Sequence, residues 1–227
     1  MKQKFTVLFD LDGTLVDTAP DLMLAHNHVM KKFGYPTKST EDIRNLVGKG
    51  AGALIGRSIW GQAKKEFSKV LDDKIKDEMV KEFINFYGKN INNESTLING
   101  VKEFLIWCKE QNISMAVCTN KQEHLSNDLL KKIGIYDFFE YVAGSDTFDY
   151  CKPDPRHLTN VVEILDGDVK KTIMIGDSET DANAAKAAEI PVILLENGYT
   201  EKNTTEIYHN HLIKDFVGIE KIITKYL

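Results

Sequence analysis

Hydrophobic residues along the chain fall into two alternating patterns, short apolar runs and longer segments with helical spacing. A short unbroken apolar run is typical of a strand buried on both faces, as found in parallel sheets flanked by helices. The runs predict strands at residues 5–9, 113–118, 141–144, 172–175 and 191–195. Helical patterns lie between most of them, and a closing helix is expected over residues 216–227. The alternation predicts an α/β protein with a doubly wound parallel sheet.

The segment from about residue 19 to residue 90 departs from this alternation. Apolar residues recur there at helical spacing, as at Leu22, Ala25 and Val29, and no convincing strand is present. We therefore expect an all-helical domain inserted into the α/β core soon after the first strand. The expected domains are an α/β core of residues 1–16 and 91–227 and a helical domain of residues 17–90.

Polar residues suited to chemistry follow the predicted strands or lie in loops at the same expected edge. They are Asp10, Asp12, Thr119, Asn120, Lys152, Asp177 and Asp181. Gly13 begins the turn after the first strand, since glycine can take backbone angles closed to other residues. Each cluster alone is typical of a turn, a cap or a loop, but their joint occurrence at strand ends is harder to explain that way. Because ligands of open α/β sheets bind beyond the carboxyl ends of the strands, we expect one site here.

The charges of this expected site do not balance. Four carboxylates would share it with one ammonium, and like charges at close range repel one another and resist ionisation. A divalent cation would remove the repulsion. The available ligands are oxygens, and Mg²⁺ binds proteins through one or two carboxylates together with waters and substrate phosphate. The residues therefore predict Mg²⁺ as the cofactor.

The same residues resemble the motifs of the haloacid dehalogenase superfamily. They are Asp10-Leu-Asp-Gly-Thr-Leu-Val-Asp17, Thr119-Asn120, Lys152-Pro153 and Gly176-Asp-Ser-Glu-Thr-Asp181. The resemblance covers nearly the whole chain and implies a Rossmann-like core, with the helical segment as the family's small cap. Within the superfamily, residues 9–22, the turn at residues 47–51 and Asn197-Gly-Tyr199 are most similar to phosphoglycolate phosphatases.

The resemblance implies a Mg²⁺-dependent phosphomonoester hydrolase that converts 2-phosphoglycolate to glycolate and phosphate. Asp10 would attack the phosphorus and form an aspartyl-phosphate. Asp12 would protonate the leaving alcohol and later activate water, which requires a carboxyl kept partly protonated by crowded acidic surroundings. Thr119 and Lys152 would hold the phosphoryl oxygens, and Gly13 and Asn120 would line the phosphate site.

The metal ligands implied by the resemblance are Asp10, the backbone carbonyl of Asp12, and Asp177. Asp181 would be a further ligand or would support the others. These assignments place the metal and the transferred phosphoryl group at the same strand ends.

Substrate specificity is expected to come from the helical domain. Its glycine-rich turn at residues 47–52 carries one cation, Lys49, and Arg57 follows on the next helix. We expect Lys49 and Arg57 to reach a small carboxylate beyond the phosphate. The alternative is that both are solvated surface cations, as charged residues on turns and helix faces usually are.

Several other functions remain open at this point. Superfamily pyrophosphatases, nucleotidases and β-phosphoglucomutase-like enzymes share much of the pattern. Asp12 disfavours dehalogenases and phosphonate hydrolases, which lack an aspartate at that position. Two non-enzyme alternatives are a signalling domain that carries a phosphorylated aspartate and a catalytically silent phosphate-binding protein.

Composition limits which binding partners and which cellular compartment are expected. The 227 residues carry a net charge of −5, which gives no basic surface for nucleic acid, so a small phosphorylated metabolite is the expected partner. The three cysteines have no metal-type spacing and are expected to be free thiols. Neither a signal segment nor a membrane span is evident, so a cytoplasmic protein is expected. Monomer and homodimer both remain open.

Overall fold

The computed structural model describes residues 3–63 and 73–227, with side chains described for all of these except residues 60–63. The part of the predicted helical domain at residues 64–72 lies outside the described residues. The strands are β1 (Thr6–Phe9), β2 (Val16–Asp17), β3 (Thr96–Leu97), β4 (Ser114–Cys118), β5 (Tyr141–Ala143), β6 (Thr172–Gly176), β7 (Val192–Leu195) and β8 (His211–Ile213). The helices are α1 (Ala19–Phe33), α2 (Thr40–Arg44), α3 (Ala51–Ala63), α4 (Asp73–Lys89), α5 (Val101–Glu110), α6 (Glu123–Lys132), α7 (Arg156–Ile164), α8 (Glu179–Ala187) and α9 (Glu220–Ile223).

The central sheet has six parallel strands in the order β5-β4-β1-β6-β7-β8. The predicted α/β fold and its five predicted strands are confirmed. Every residue of β1 is buried, as expected for a strand covered by helices on both faces. Phe9, the last residue of β1, is in register with Val117 of β4 and Ile175 of β6. The loops that follow these strands therefore begin at the same edge.

Two elements near the C-terminus differ from the prediction. The sixth strand of the sheet, β8, pairs with β7. It was not predicted because it has only three residues and is flanked by polar residues, so it shows no strand pattern in the sequence. The closing helix expected over residues 216–227 is reduced to α9. Phe216 packs against Phe9 and Phe104, and Gly218 has a φ of +81°, so the chain cannot be helical at that point.

Helices α1 to α4 lie between β2 and β3, and we call residues 19–89 the helical segment. The sequence analysis did not predict β2 and β3, which form a two-stranded antiparallel sheet where the chain enters and leaves this segment. In the described part of the chain, no helix is both long enough and apolar enough to cross a lipid bilayer.

Asp21, near the start of the helical segment, is hydrogen-bonded to the chain that follows the segment. Its buried carboxylate accepts hydrogen bonds from the backbone N–H groups of Glu94 and Ser95 and from the Ser95 hydroxyl, at 2.6–3.1 Å. Because these donors lie more than 70 residues away in sequence, the contact fixes α1 relative to the returning chain.

Replacing Asp21 by alanine is expected to lower the free energy of unfolding by about 1–2 kcal/mol, because it leaves partly buried donors without an acceptor. Urea denaturation at neutral pH measures the change. Asp128→Ala, on an exposed position of α6, is the matched control and should have little effect. Equal effects of the two substitutions would contradict the role assigned to Asp21.

Candidate active site

Asp10 comes directly after β1 and is paired there with Lys152. The Lys152 ammonium donates to Asp10 Oδ1 at 2.8 Å and to Asp181 Oδ1 at 2.6 Å. All three side chains are at least 90% buried. The structure therefore brings together two predicted carboxylates and the predicted lysine, which come from two loops and from the first turn of α8.

Asp181 is held by the start of α8. Its Oδ2 accepts hydrogen bonds from the backbone N–H groups of Asp177 and Ser178 and from the Ser178 hydroxyl. Ser178 caps the helix, and the reciprocal bonds form a capping box with Asp181 at the third helical position. Since Oδ1 is bonded to Lys152, both oxygens of Asp181 are engaged in hydrogen bonds.

Asp177 lies against two glycines that allow close packing. Its Oδ2 accepts a hydrogen bond from the backbone N–H of Tyr199 at 2.6 Å. A Cβ on Gly13, whose φ is +83°, would lie 2.2 Å from Asp177 Oδ2. A Cβ on Gly198 would lie 1.9 Å from the Asp177 carbonyl oxygen. Gly13 therefore serves the site by leaving room for Asp177.

Burial controls the protonation of these groups. It raises the pKa of Asp10 to about 6, and the opposing effect of the Lys152 charge does not cancel it. Burial and then repulsion from Asp10 and Asp181 raise the pKa of Asp177 well above its usual value. Burial disfavours the Lys152 ammonium, but the charges of Asp10 and Asp181 outweigh it and raise the pKa of Lys152.

The three carboxylates could hold a cation. One oxygen from each of Asp10, Asp177 and Asp181 lies within 4.8 Å of the others, and all three residues are buried. Buried carboxylates are stabilised by positive charge, and an all-oxygen donor set suits a hard divalent ion such as Mg²⁺. The observed cluster fits the predicted metal-binding residues.

Asp12 has different surroundings from those expected. Its two oxygens accept hydrogen bonds from the Lys121 ammonium at 2.7 and 2.8 Å, and Oδ1 also accepts from the Thr18 hydroxyl at 2.6 Å. The groups bonded to this carboxylate are thus a cation and a hydroxyl, and not the crowd of acids that was predicted. Lys121 was missed because a lysine at the start of a helix is ordinarily solvated, and its position directly after Thr119-Asn120 was the available signal.

Thr119 and Asn120 follow β4 and lie at the site as predicted. The buried Thr119 hydroxyl accepts a hydrogen bond from the Lys121 backbone N–H at 3.2 Å. The Asn120 amide nitrogen donates to the carbonyl oxygens of Gly48 and Lys152, at 3.1 and 2.9 Å. Asn120 therefore connects the glycine-rich turn of the helical segment to the Lys152 loop.

A cavity of about 310 Å³ lies between the helical segment and the sheet edge. Asp10, Asp12, Thr119 and Lys121 line its polar side, and the helical segment supplies much of the apolar side with Leu22, Leu54, Val80, Phe83 and Ile84. Lys49 also lines the cavity, with an exposed side chain.

Arg57 lies outside this cavity, and its expected contact with the substrate stays a prediction. Its guanidinium donates to the carbonyl oxygens of Asn45 and Leu46 and pairs with the Glu201 carboxylate. It lines a separate, much smaller cavity of about 20 Å³. The pairing with a loop 144 residues away was not visible in the local sequence pattern.

Comparisons with known proteins agree with this geometry. Residues 7–195 match the family model described as haloacid dehalogenase-like hydrolase. The chain is 38% identical to a phosphoglycolate phosphatase of Caulobacter vibrioides over 95% of this chain and 89% of that protein. It is 37% identical to a phosphoglycolate phosphatase of Agrobacterium fabrum over 96% and 94% of the two chains. A crystal structure of a predicted phosphoglycolate phosphatase from Haemophilus somnus superposes with a TM-score of 0.89 at 32% identity, covering 98% and 99% of the chains.

Lys152→Met is expected to lower the free energy of unfolding by about 3–5 kcal/mol in metal-free buffer, because it leaves two buried carboxylates without their cation. Urea denaturation in EDTA measures the loss. Lys202→Met is the matched control, since it breaks the exposed pair with Glu179 and should change stability far less. Similar losses in both variants would show that the buried pairing is unimportant.

The raised pKa of Asp10 predicts how stability changes with pH. Between pH 4 and pH 6 the folded chain keeps a proton on Asp10 that the unfolded chain has lost, so the free energy of unfolding falls as pH rises. A carboxyl whose pKa rises from 3.8 to about 6 contributes a fall of about 3 kcal/mol.

Asp10→Asn should remove the decrease in the free energy of unfolding that Asp10 causes as pH rises. Urea denaturation in EDTA from pH 4.5 to pH 7 compares the two proteins, with Asp128→Asn as an exposed control. Parallel curves for Asp10→Asn and the parent would contradict the assignment.

Proposed function

The chain belongs to the haloacid dehalogenase-like hydrolase family and is a phosphatase, and we propose that it hydrolyses phosphomonoesters through an aspartyl-phosphate on Asp10, with Mg²⁺ as cofactor. The observation that carries this proposal is the pairing of Asp10 with Lys152 beside two further buried carboxylates. A nucleophile, a cation for the phosphoryl oxygens and a metal-binding cluster thereby lie in one place at the edge of the sheet.

Asp10, Asp177 and Asp181 are the residues proposed to hold the metal, together with the backbone carbonyl of Asp12. Among the described residues, no hydrogen-bond donor contacts Oδ2 of Asp10 or Oδ1 of Asp177, which leaves an oxygen of each available. Bound there, Mg²⁺ would orient the phosphoryl group and offset its charge. Asp181 is proposed mainly to support the other metal ligands, because both of its oxygens already accept hydrogen bonds.

In the first step, an oxygen of Asp10 forms a bond to phosphorus while the bond from phosphorus to the ester oxygen breaks. A pKa of about 6 leaves Asp10 mostly ionised at neutral pH, as a nucleophile requires. Lys152 and the Thr119 hydroxyl hold the phosphoryl oxygens. Asp12 enters this step in its protonated form and donates that proton to the departing ester oxygen, which leaves as an alcohol.

In the second step, Asp12 accepts a proton from a water molecule as the water oxygen attacks phosphorus. The bond between phosphorus and Asp10 breaks, and the carboxylate of Asp10 is restored with release of phosphate. Positioning and charge around the phosphoryl group supply most of the acceleration in such a reaction. We propose that residues 17–90 act as a cap that opens and closes over residues 1–16 and 91–227, so that water is excluded while the ester is bound.

We propose 2-phosphoglycolate as the substrate, with glycolate and phosphate as products. The support is the extended similarity to relatives named phosphoglycolate phosphatases and the presence of Lys49 and Lys121 in a cavity sized for a small metabolite. We propose a cytoplasmic location because the three cysteines are free thiols, which suit a reducing compartment. Monomer and homodimer both agree with a site built from one chain.

A panel of phosphate esters tests the function. The purified protein is expected to release phosphate from 2-phosphoglycolate faster than from pyrophosphate, nucleoside monophosphates or β-glucose 1-phosphate, and only when Mg²⁺ is present. Asp10→Asn should abolish release because it removes the nucleophile. Faster release from another compound of the panel would support the mechanism and contradict the proposed substrate. No phosphate release from any of them would overturn the proposed reaction.

A further inference from the structure

Tyr87 of α4 lies in the wall of the cavity with its hydroxyl unused. Its side chain is buried, with 1% of the residue exposed, and the cavity contacts it. Within residues 3–59 and 73–227, the Tyr87 hydroxyl has no hydrogen-bond partner. Buried polar groups in folded proteins are nearly always hydrogen-bonded, so an unpaired hydroxyl on a residue of a cavity wall points to a ligand.

The ionisation state of Tyr87 makes it a donor. Burial raises its pKa well above the usual value, and the charges of Asp12 and Asp21 add to the effect. The hydroxyl therefore keeps its proton at any working pH. Two other residues of the cavity wall carry buried acceptor atoms, Asn120 Oδ1 and Gln122 Oε1, that have no partner in the described part of the chain.

Lys121 lies over the ring of Tyr87. Its ammonium is 4.6 Å from the ring centroid, and its side chain is 5% exposed. An ammonium has three N–H donors, and the hydrogen bonds that the Lys121 ammonium makes with described residues go to the carboxylate of Asp12. It is thus able to bind a second acceptor without releasing Asp12.

We propose that Tyr87 and Lys121 form the subsite for a carboxylate on the leaving group of the substrate. The Tyr87 hydroxyl donates to one carboxylate oxygen, and the Lys121 ammonium binds the other. This subsite rests on the proposed function. It assigns recognition of the substrate's carboxylate to Tyr87 and Lys121 instead of to the exposed Lys49.

The arrangement has a geometric consequence for the reaction. Lys121 contacts the leaving group and also Asp12, the residue proposed to protonate it, so the bound carboxylate aligns the ester oxygen with its proton donor. Tyr87 belongs to the helical segment, whereas Lys121 follows β4 in the core. The subsite is therefore complete only when the helical segment lies against the sheet.

Binding measurements separate this subsite from turnover. In the Asp10→Asn background with Mg²⁺, calorimetric titration compares 2-phosphoglycolate with ethyl phosphate, which is of similar size but lacks the carboxylate. Tyr87→Phe should weaken binding of 2-phosphoglycolate about tenfold, the usual effect of losing one hydrogen bond to a charged group. The effect on ethyl phosphate should be much smaller, so the preference between the ligands falls.

Lys121→Met should reduce the preference further, and Lys121→Arg should keep part of it because the charge remains. Tyr208→Phe, on an exposed tyrosine, is the control for the removal of a hydroxyl. Lys49→Met tests the competing cation of the same cavity. Unchanged melting temperatures would show that the variants are folded.

Three outcomes would overturn the subsite. One is that the Asp10→Asn parent binds the two ligands equally or binds neither; another is that Tyr87→Phe and Lys121→Met weaken both ligands by the same factor. The third is that Lys49→Met alone removes the preference. Selective binding of 2-phosphoglycolate through Tyr87 and Lys121, without turnover by the wild-type chain, would support the subsite while overturning the proposed function.

Discussion

The buried ammonium of Lys152, held between the carboxylates of Asp10 and Asp181, is the interaction on which the rest of the site depends. It joins the loop after β1, the loop after β5 and the first turn of α8 at one point. In a buried environment neither carboxylate can keep its charge without a cation, and the ammonium would not be tolerated alone. The polar edge of the sheet is therefore stable only when both loops and the first turn of α8 are in place.

Around this pairing the structure separates two aspartates that are only two residues apart. Asp10 faces Lys152 and the buried acids, and its pKa is raised to about 6. Asp12 is bonded instead to Lys121 and Thr18. Each carboxylate has its own lysine, so the proposed nucleophile and the proposed proton donor lie in the same turn with different partners.

The shape of the cavity depends on a second group of contacts, between the helical segment and the core. Tyr199 donates its hydroxyl to Asp17 and accepts from the Ala19 backbone N–H, while Arg44 pairs with the same carboxylate of Asp17. The backbone N–H of Tyr199 also holds Asp177. One residue of the core thereby contacts both the base of the helical segment and a proposed metal ligand.

Sequence alone determined the α/β class, the main strands of the sheet and most residues of the candidate site, because buried strands have a distinctive composition and parallel strands end at one edge. Asp10, Asp177, Asp181 and Lys152 were identified in this way, since each follows a predicted strand along the chain. Only the tertiary structure identified the partners that lie far apart in sequence, namely Lys121 with Asp12, Tyr87 with Lys121, and Glu201 with Arg57. A local pattern shows which residues leave a strand together, but the contacts of a solvated-looking lysine or arginine are decided by how the helical segment packs on the sheet.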